Sequence, residues 1–301
     1  MLGYRLPTMT IHRILLPIDF SQAARSIAPF VHSMAQRHKA GVTLIHVIQP
    51  APPIFGGIGA DGGMGAVSPD VFDYEPSREA IRLHLAEFAA AEMPNTDIFI
   101  VVEIGDPASV IAEYAQENAV DLICMSTHGH GAFRRALLGS VTSKVLHDAK
   151  IPVWMSAHAT EATHRAHPEP RHIVVAVDVD ASARETLNAA VAIAKETNAT
   201  VDLVTAVVET ALARGMSDAQ LDELLIEGTR ELLAKLQFEA GTQFETAIRV
   251  GTPADVVRAV ATEKRADLVI CGRGHAHGIL AHLRDGNYAI IREAPCPVLS
   301  V

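Results

Sequence analysis

Short runs of consecutive apolar residues punctuate the chain. Each is followed by a longer stretch in which apolar residues recur every three or four positions. Ile14–Ile18, Val42–Ile48, Ile98–Glu103, Leu122–Ser126 and Val153–Ser156 are of the first kind; Ala23–Arg37, Ser77–Ala91, Ala108–Asn118 and Ser140–Ala149 are of the second. A short continuous apolar run predicts a strand covered on both faces, and the 3.6-residue period predicts an amphipathic helix. The alternation then starts again. Strands are predicted over Ile173–Val177, Val201–Val207, Glu245–Val250, Leu268–Cys271 and Val298–Val301, and helices over Ser182–Thr197, Asp218–Ala240, Pro253–Lys264 and Asn287–Glu293. Such alternation, with right-handed crossovers, predicts an α/β fold of doubly wound parallel sheets.

The two halves are copies of one unit. HRILLPID at 12–19 returns as RHIVVAVD at 171–178, each ending in an aspartate. Gly105–Gly129 matches Gly251–His275 with Gly, Pro, Ala, Asp and Leu in register, and IPVWMS at 151–156 returns as CPVLSV at 296–301. Asp178 lies 159 residues after Asp19, Gly251 lies 146 after Gly105, and Pro297 lies 145 after Pro152. The larger drop falls in one connection, so the second copy lacks most of a loop that the first carries as the Gly/Pro-rich stretch 49–76. Repeats at this spacing are whole domains. The expected division is 9–157, a polar linker 158–170 with two prolines, and 171–301.

Composition narrows the setting. The 301 residues are 49% hydrophobic and 20% charged, which excludes global disorder. The net charge of −10 argues against non-specific nucleic-acid binding and against an anionic membrane surface, both of which need clustered cations. No apolar run reaches the length of a membrane span, and MLGYRLPTM is too short and too polar for a signal peptide. Cys124, Cys271 and Cys296 sit in or beside apolar runs without metal-ligand spacing. Buried thiols and a cytoplasmic location are expected.

Candidate chemistry lies where strands end, because open α/β sheets bind ligands beyond their carboxyl ends. Asp19 follows the first strand, Val47 closes the second and Gly105 follows the third. After the fourth comes Ser126-Thr-His-Gly-His-Gly131, and Gly139-Ser-Val-Thr142 then opens a helix. A helix start offers free N–H groups and the positive end of the dipole. Glycines at 129 and 139 permit close backbone approach, and Ser140 and Thr142 add hydroxyls. This is a phosphate cradle without a Walker lysine, since GxxxxGK[ST] is absent. The plainer alternative is that the glycines shape a loop.

LLPIDFSQAA at 15–24, LIHV at 44–47, THG-x9-GS from Thr127 to Ser140 and the closing PVWM strand together resemble the universal stress protein family in its tandem form. The resemblance covers nearly the whole chain. It implies two Rossmann-like domains with five-stranded parallel sheets of order 3-2-1-4-5. It also implies that members carrying G-x2-G-x9-G-[ST] bind ATP. Carried over by position, Pro17, Ile18, Asp19 and Val47 would meet the adenosine part, Val47 through its backbone. Gly129, Gly139, Ser140, Val141 and Thr142 would hold the phosphates, with Ser126 near the ribose, Thr127 beside it and His128 shaping the loop. Ser126 replaces the first glycine of the motif. In the second copy Asp178 is kept, but His275 stands at the Gly129 position and Asp285-Gly286 at that of Gly139-Ser140. An aspartate there repels a triphosphate, so weak or no ATP binding is expected in that copy.

Other signals read as structural. Gly57–Gly62 matches GxGxxG but opens no helix, so loop 49–76 is taken as a lid or partner-binding loop. His128/His130 and His275/His277 have HxH spacing without accompanying thiols or paired carboxylates, so no metal site is expected. Arg134 and Arg135 read equally well as screens of phosphate charge or as solvated loop arginines. The apolar edge strands 153–156 and 298–301 would pair antiparallel within the chain as a pseudo-dimer, with a homodimer between chains beyond that. No GxSxG, HExxH or kinase set occurs. The leading reading is a stress-response regulator or sensor that binds ATP, with or without Mg²⁺. The alternatives are a nucleotide-free scaffold for an unknown protein partner and a slow ATPase.

Overall fold

The first apolar run forms β1 (Arg13–Pro17), and the elements follow in the expected order: α1 (Gln22–His38), β2 (Gly41–Ile48), α2 (Glu75–Glu92), β3 (Ile98–Ile104), α3 (Pro107–Glu117), β4 (Leu122–Ser126), α4 (Ser140–Asp148) and β5 (Val153–Ser156). The second copy adds β6 (His172–Ala176), α5 (Ala183–Thr197), β7 (Thr200–Val207), α6 (Asp218–Ala240), β8 (Glu245–Val250), α7 (Pro253–Glu263), β9 (Leu268–Cys271), α8 (His282–Glu293) and β10 (Val298–Ser300). The structure, a computed structural model, describes residues 10–50, 74–127, 138–156, 169–178, 183–208, 218–273 and 282–301. Most boundaries fall within two residues of the sequence expectation. The exception is α8, which begins at His282 rather than Asn287, because polar residues and Gly286 in its first turns hide the apolar period.

Each copy has strand order 3-2-1-4-5, and the copies join into one ten-stranded sheet, β3-β2-β1-β4-β5-β10-β9-β6-β7-β8. Every strand pairing is parallel except β5–β10, which is antiparallel with Val298, Leu299 and Ser300 opposite Met155, Trp154 and Val153. The pairing of the two edge strands within the chain is thus present in the fold. It removes two apolar edges that would otherwise be open to other chains.

Alternation along the strands explains why the apolar runs are continuous. Leu16 and Leu44 face a layer made by α1, α2, α5 and α6, through Ile27, Val31, Leu85, Leu187 and Leu233. Their neighbours Leu15 and Ile45 face the opposite layer of α3, α4, α7 and α8, through Ile111, Val145, Val257 and Ile290. Both strand faces are buried, so neither can be polar. All three cysteines are buried and free. Burial pushes the Cys271 thiol up to about 12, which makes it inert at neutral pH.

At the amino end of the parallel strands of each copy a carboxylate ties two strands. Asp121 accepts the N–H groups of His12 (2.7 Å) and Arg13 (2.9 Å), and Asp267 accepts those of Arg171 (2.9 Å) and His172 (3.0 Å). The second copy adds a charged cluster at this end. Asp202 lies 2.5 Å from His172 Nε2 and 2.7 Å from Lys264 Nζ, which also reaches Glu245 at 2.9 Å.

Candidate functional site

The crevice of the first copy opens where β1 and β4 are neighbours and their connections leave in opposite directions, to β2 and to β5. Pro17 ends β1. Ile18 is buried: its N–H donates to Ile45 O (2.8 Å) and its carbonyl accepts from His46 Nδ1 (2.6 Å). The chain then turns sharply at Phe20, which has φ 60°. In this turn Asp19 Oδ1 accepts the Ser21 N–H at 2.9 Å, and Ser21 Oγ caps α1 by accepting the Ala24 N–H at 3.1 Å. The Asp19 carboxylate is therefore oriented by the start of α1, at the mouth of the crevice.

Val47 lies beyond the last β1–β2 register pair, Pro17 opposite Ile45. Ile45 O faces the β1 side, where it meets Ile18 N, and Ile48 O faces β3, where it meets Gly105 N at 3.0 Å. By alternation the backbone groups of Val47 turn to the β1 side, past the point where that strand ends. They are the groups expected to read an adenine.

On the other flank, two hydrogen bonds bring the end of β4 to the start of α4. Thr142 Oγ1 donates to Ser126 O at 3.0 Å, and Gly139 N donates to Thr127 O at 2.9 Å. Gly139 is the N-cap of α4 and supplies no side-chain cap. The first helical bond is Ser143 N to Gly139 O, 2.8 Å. The N–H groups of Ser140, Val141 and Thr142 accordingly have no partner within the helix, and the positive dipole end lies among them. The Thr142 side chain is buried and its hydroxyl donates to Ser126 O, which leaves its backbone N–H rather than its hydroxyl without a partner in the helix. Ser126 is not among the residues with positive φ; it continues β4, so its Cβ meets no backbone restriction. His128, Gly129, Arg134 and Arg135 lie outside the described residues, as do the HxH pairs, residues 51–73 of the long loop and most of the linker.

Lys144, one turn into α4, is engaged elsewhere. Its Nζ lies 2.7 Å from Asp106 Oδ1 and 3.1 Å from Ser109 Oγ. Its hydrogen bond and that of the Ser109 N–H hold the Asp106 carboxyl down at about 2. This links α4 to the first turn of α3.

The second copy keeps the scaffold but moves the helix. Thr205 Oγ1 donates to Val177 O (2.8 Å) where His46 binds Ile18 O, and Gly251 N donates to Val207 O (3.0 Å) where Gly105 binds Ile48 O. Gly286, the counterpart of Ser140, lies inside α8 rather than at its start. Its N–H is therefore beyond the free amides of that helix's first turn.

Sequence reasoning had passed over four side chains: Phe20, His46, Tyr288 and Arg273. Phe20 packs its ring 5.1 Å from His46 and 5.7 Å from His84. Arg273 crosses to the first copy and donates to Ala149 O and Ile151 O, and Tyr288 OH donates to Ser143 O at 3.1 Å. The only signal for Arg273 was its place directly after Gly272 at a strand end. A separate cleft lies between α1 and α5, lined among others by Phe30, Met34, Trp154, Ile193 and Leu299. It sits over the β5–β10 pair, away from the crevice. Among the described residues, no helix is long and apolar enough to cross a membrane, and no group of three or more His, Cys, Asp or Glu is placed to hold a metal ion.

The molecule is thus a tandem of doubly wound α/β domains fused into one sheet, with a helix start exposed at the strand-order switch of the first. The sequence profile of the Universal stress protein family matches it twice, over residues 10–156 and 169–301. The chain belongs to the universal stress protein family. A universal stress protein from Archaeoglobus fulgidus DSM 4304 is similar over 97% of this chain and 96% of its own, with TM-score 0.65 and 21% identity, a likeness of fold. Universal stress protein MJ0531 of Methanocaldococcus jannaschii is 31% identical over 141 residues, which is 47% of this chain and 79% of that protein. Universal stress protein Rv2005c of Mycobacterium tuberculosis is 25% identical over 203 residues, 64% of this chain and 62% of its own.

Proposed function

We propose that the first copy binds ATP, with or without Mg²⁺, and that nucleotide occupancy makes the chain a regulator or sensor in a cytoplasmic stress response. The observation that carries this reading is the start of α4. Its three leading amides lack helical partners, Gly139 provides no cap, and hydrogen bonds to Ser126 O and Thr127 O hold it at the end of β4. An anion at this position would satisfy the amides and the dipole together. Asp19 and the backbone of Val47 flank the crevice on the β1–β2 side, where the adenosine part belongs. Asp19 is oriented for recognition by the Ser21 N–H rather than for in-line attack, which favours binding over turnover. The displaced start of α8 supports the same division of labour, with the second copy binding ATP weakly or not at all.

The test is direct. The purified protein is analysed for co-purifying adenine nucleotide by mass spectrometry, then titrated calorimetrically with ATP and Mg²⁺. Gly139→Asp places a carboxylate and a Cβ at the start of α4. Wild type should bind ATP and the variant should not. ATP retained by the variant, or no binding by wild type at millimolar ATP, would overturn the assignment.

A further inference from the structure

The start of α4 is only as well placed as α4 itself. The helix has nine residues, about 14 Å, too short to hold its shape without tertiary contacts. Its own copy grips one side, through Thr142 on Ser126 O, Lys144 on Asp106 and the buried Val145. The other grip comes from the second copy. Tyr288 of α8 donates to the carbonyl of Ser143 in the first turn, and Arg273 donates to those of Ala149 and Ile151, at and just beyond the C-cap. A guanidinium at a helix C-terminus engages the last carbonyls and the negative dipole end.

Arg273 is an expensive way to glue two domains. Its Nε is buried without a partner, and an unsatisfied buried donor carries a desolvation penalty. An apolar side chain of similar volume would pack without that cost. What such a side chain would not do is fix carbonyls at defined points. The Arg273 backbone is itself pinned, its N–H donating to Val301 O at 2.9 Å at the end of the β9–β10 pair. The first copy has Thr127 in the equivalent place, whose side chain has no guanidinium fork.

We infer that the second copy is the positioning module of the first copy's crevice: Arg273 and Tyr288 clamp α4 by its carbonyls and so hold its leading amides in register for an anionic ligand. This rests on the ATP reading above, and it assigns a role to the copy whose own helix start is displaced. Neither residue touches the ligand; both are positioning residues.

The experiment uses the full chain, with ATP as the probe. Arg273→Met, Arg273→Lys and Tyr288→Phe are compared with wild type by calorimetric titration, thermal melting and amide hydrogen exchange. Arg273→Met should weaken ATP binding about tenfold, a coupling of ordinary size between sites. In the nucleotide-free protein it should also speed exchange across residues 140–149 while leaving β1 and β2 protected. Tyr288→Phe should act the same way but less, and Arg273→Lys, which keeps the charge but not the fork, should recover only part of the affinity. Affinity within twofold of wild type in Arg273→Met, or faster exchange spread evenly over the chain, would overturn the clamp. Should Arg273→Met fail to fold, the same two criteria apply to Arg273→Lys. Absence of ATP binding in wild type would instead sink the nucleotide reading, and unchanged α4 exchange in the variants would then remove the clamp independently.

Discussion

Trp154 and Leu299 occupy the same place in the two copies and lie opposite each other in the antiparallel β5–β10 pair. The pseudo-twofold axis of the molecule therefore passes between them. They are equivalent in position and unequal in size. Phe30 of α1 makes up part of the difference by stacking on Trp154 at 3.9 Å with an interplanar angle of 10°. Trp154 is 4% exposed, so Trp154→Ala opens a cavity at the axis. A loss of about 3–5 kcal/mol is expected, measurable by denaturant unfolding. A loss below about 1 kcal/mol would mean that the seam does not contribute to global stability.

A second equivalent pair meets across the same seam with opposite charge. Arg37 of α1 and its counterpart Glu196 of α5 approach to 3.8 Å, and His38 Nε2 lies 3.1 Å from Glu196. Two identical arginines at this distance would repel, so the pair favours a first copy joined to a second over two first copies. The side chains are 24% and 31% exposed, which limits their coupling to about 0.5–1 kcal/mol. A double-mutant cycle on Arg37→Ala and Glu196→Ala should return that value. Zero coupling at low salt would show that the pair does not specify the seam.

Ser126→Gly restores the usual family residue at the first motif position. Because Ser126 already sits in β4 with strand backbone, the change relieves no strain. It should shift ATP affinity by no more than about threefold, while the gain in chain entropy costs about 0.5–1 kcal/mol of stability. A large gain in affinity would show that the serine Cβ obstructs the ribose.

Asp202 supplies a pH signature. Burial pushes its carboxyl up, but hydrogen bonds from Lys264 and His172 outweigh burial and hold it below the ordinary value. A carboxylate depressed by folding adds stability above its unfolded pKa, about 3.9. That contribution is lost as the pH falls through the folded value. Asp202→Asn should cost about 1–3 kcal/mol near neutrality. The difference from wild type should stay level down to about pH 4 and shrink below it. A difference that grew on acidification would contradict this account.

The doubly wound architecture was legible because the strands carry apolar residues on both faces, and Leu15 and Leu16 show why: they are buried in opposite layers. Of the candidate crevice, the placing of Asp19, Val47 and Ser126 at or just beyond strand ends was legible. Its details were less so. Thr142 looked like a ligand hydroxyl and is a structural bond to Ser126 O, since a sequence does not say which way a side chain turns. The start of α8 was misplaced because Gly286 masks the helical period, although that early start is what removes the free amides from the equivalent position.

Local pattern and the duplicated motifs were enough to establish two α/β units and the run of strands and helices in each, because period and turn chemistry act over a few neighbouring residues; the strand order came from the family resemblance. The contact of Arg273 with Ala149 and Ile151, the meeting of Arg37 with Glu196 and the placing of Trp154 against Leu299 span more than a hundred residues of chain. Such contacts exist only once β5 and β10 have joined the two copies into a single sheet. The roles of the copies therefore differ for a tertiary reason: one presents the start of a helix, and the other holds that helix in place.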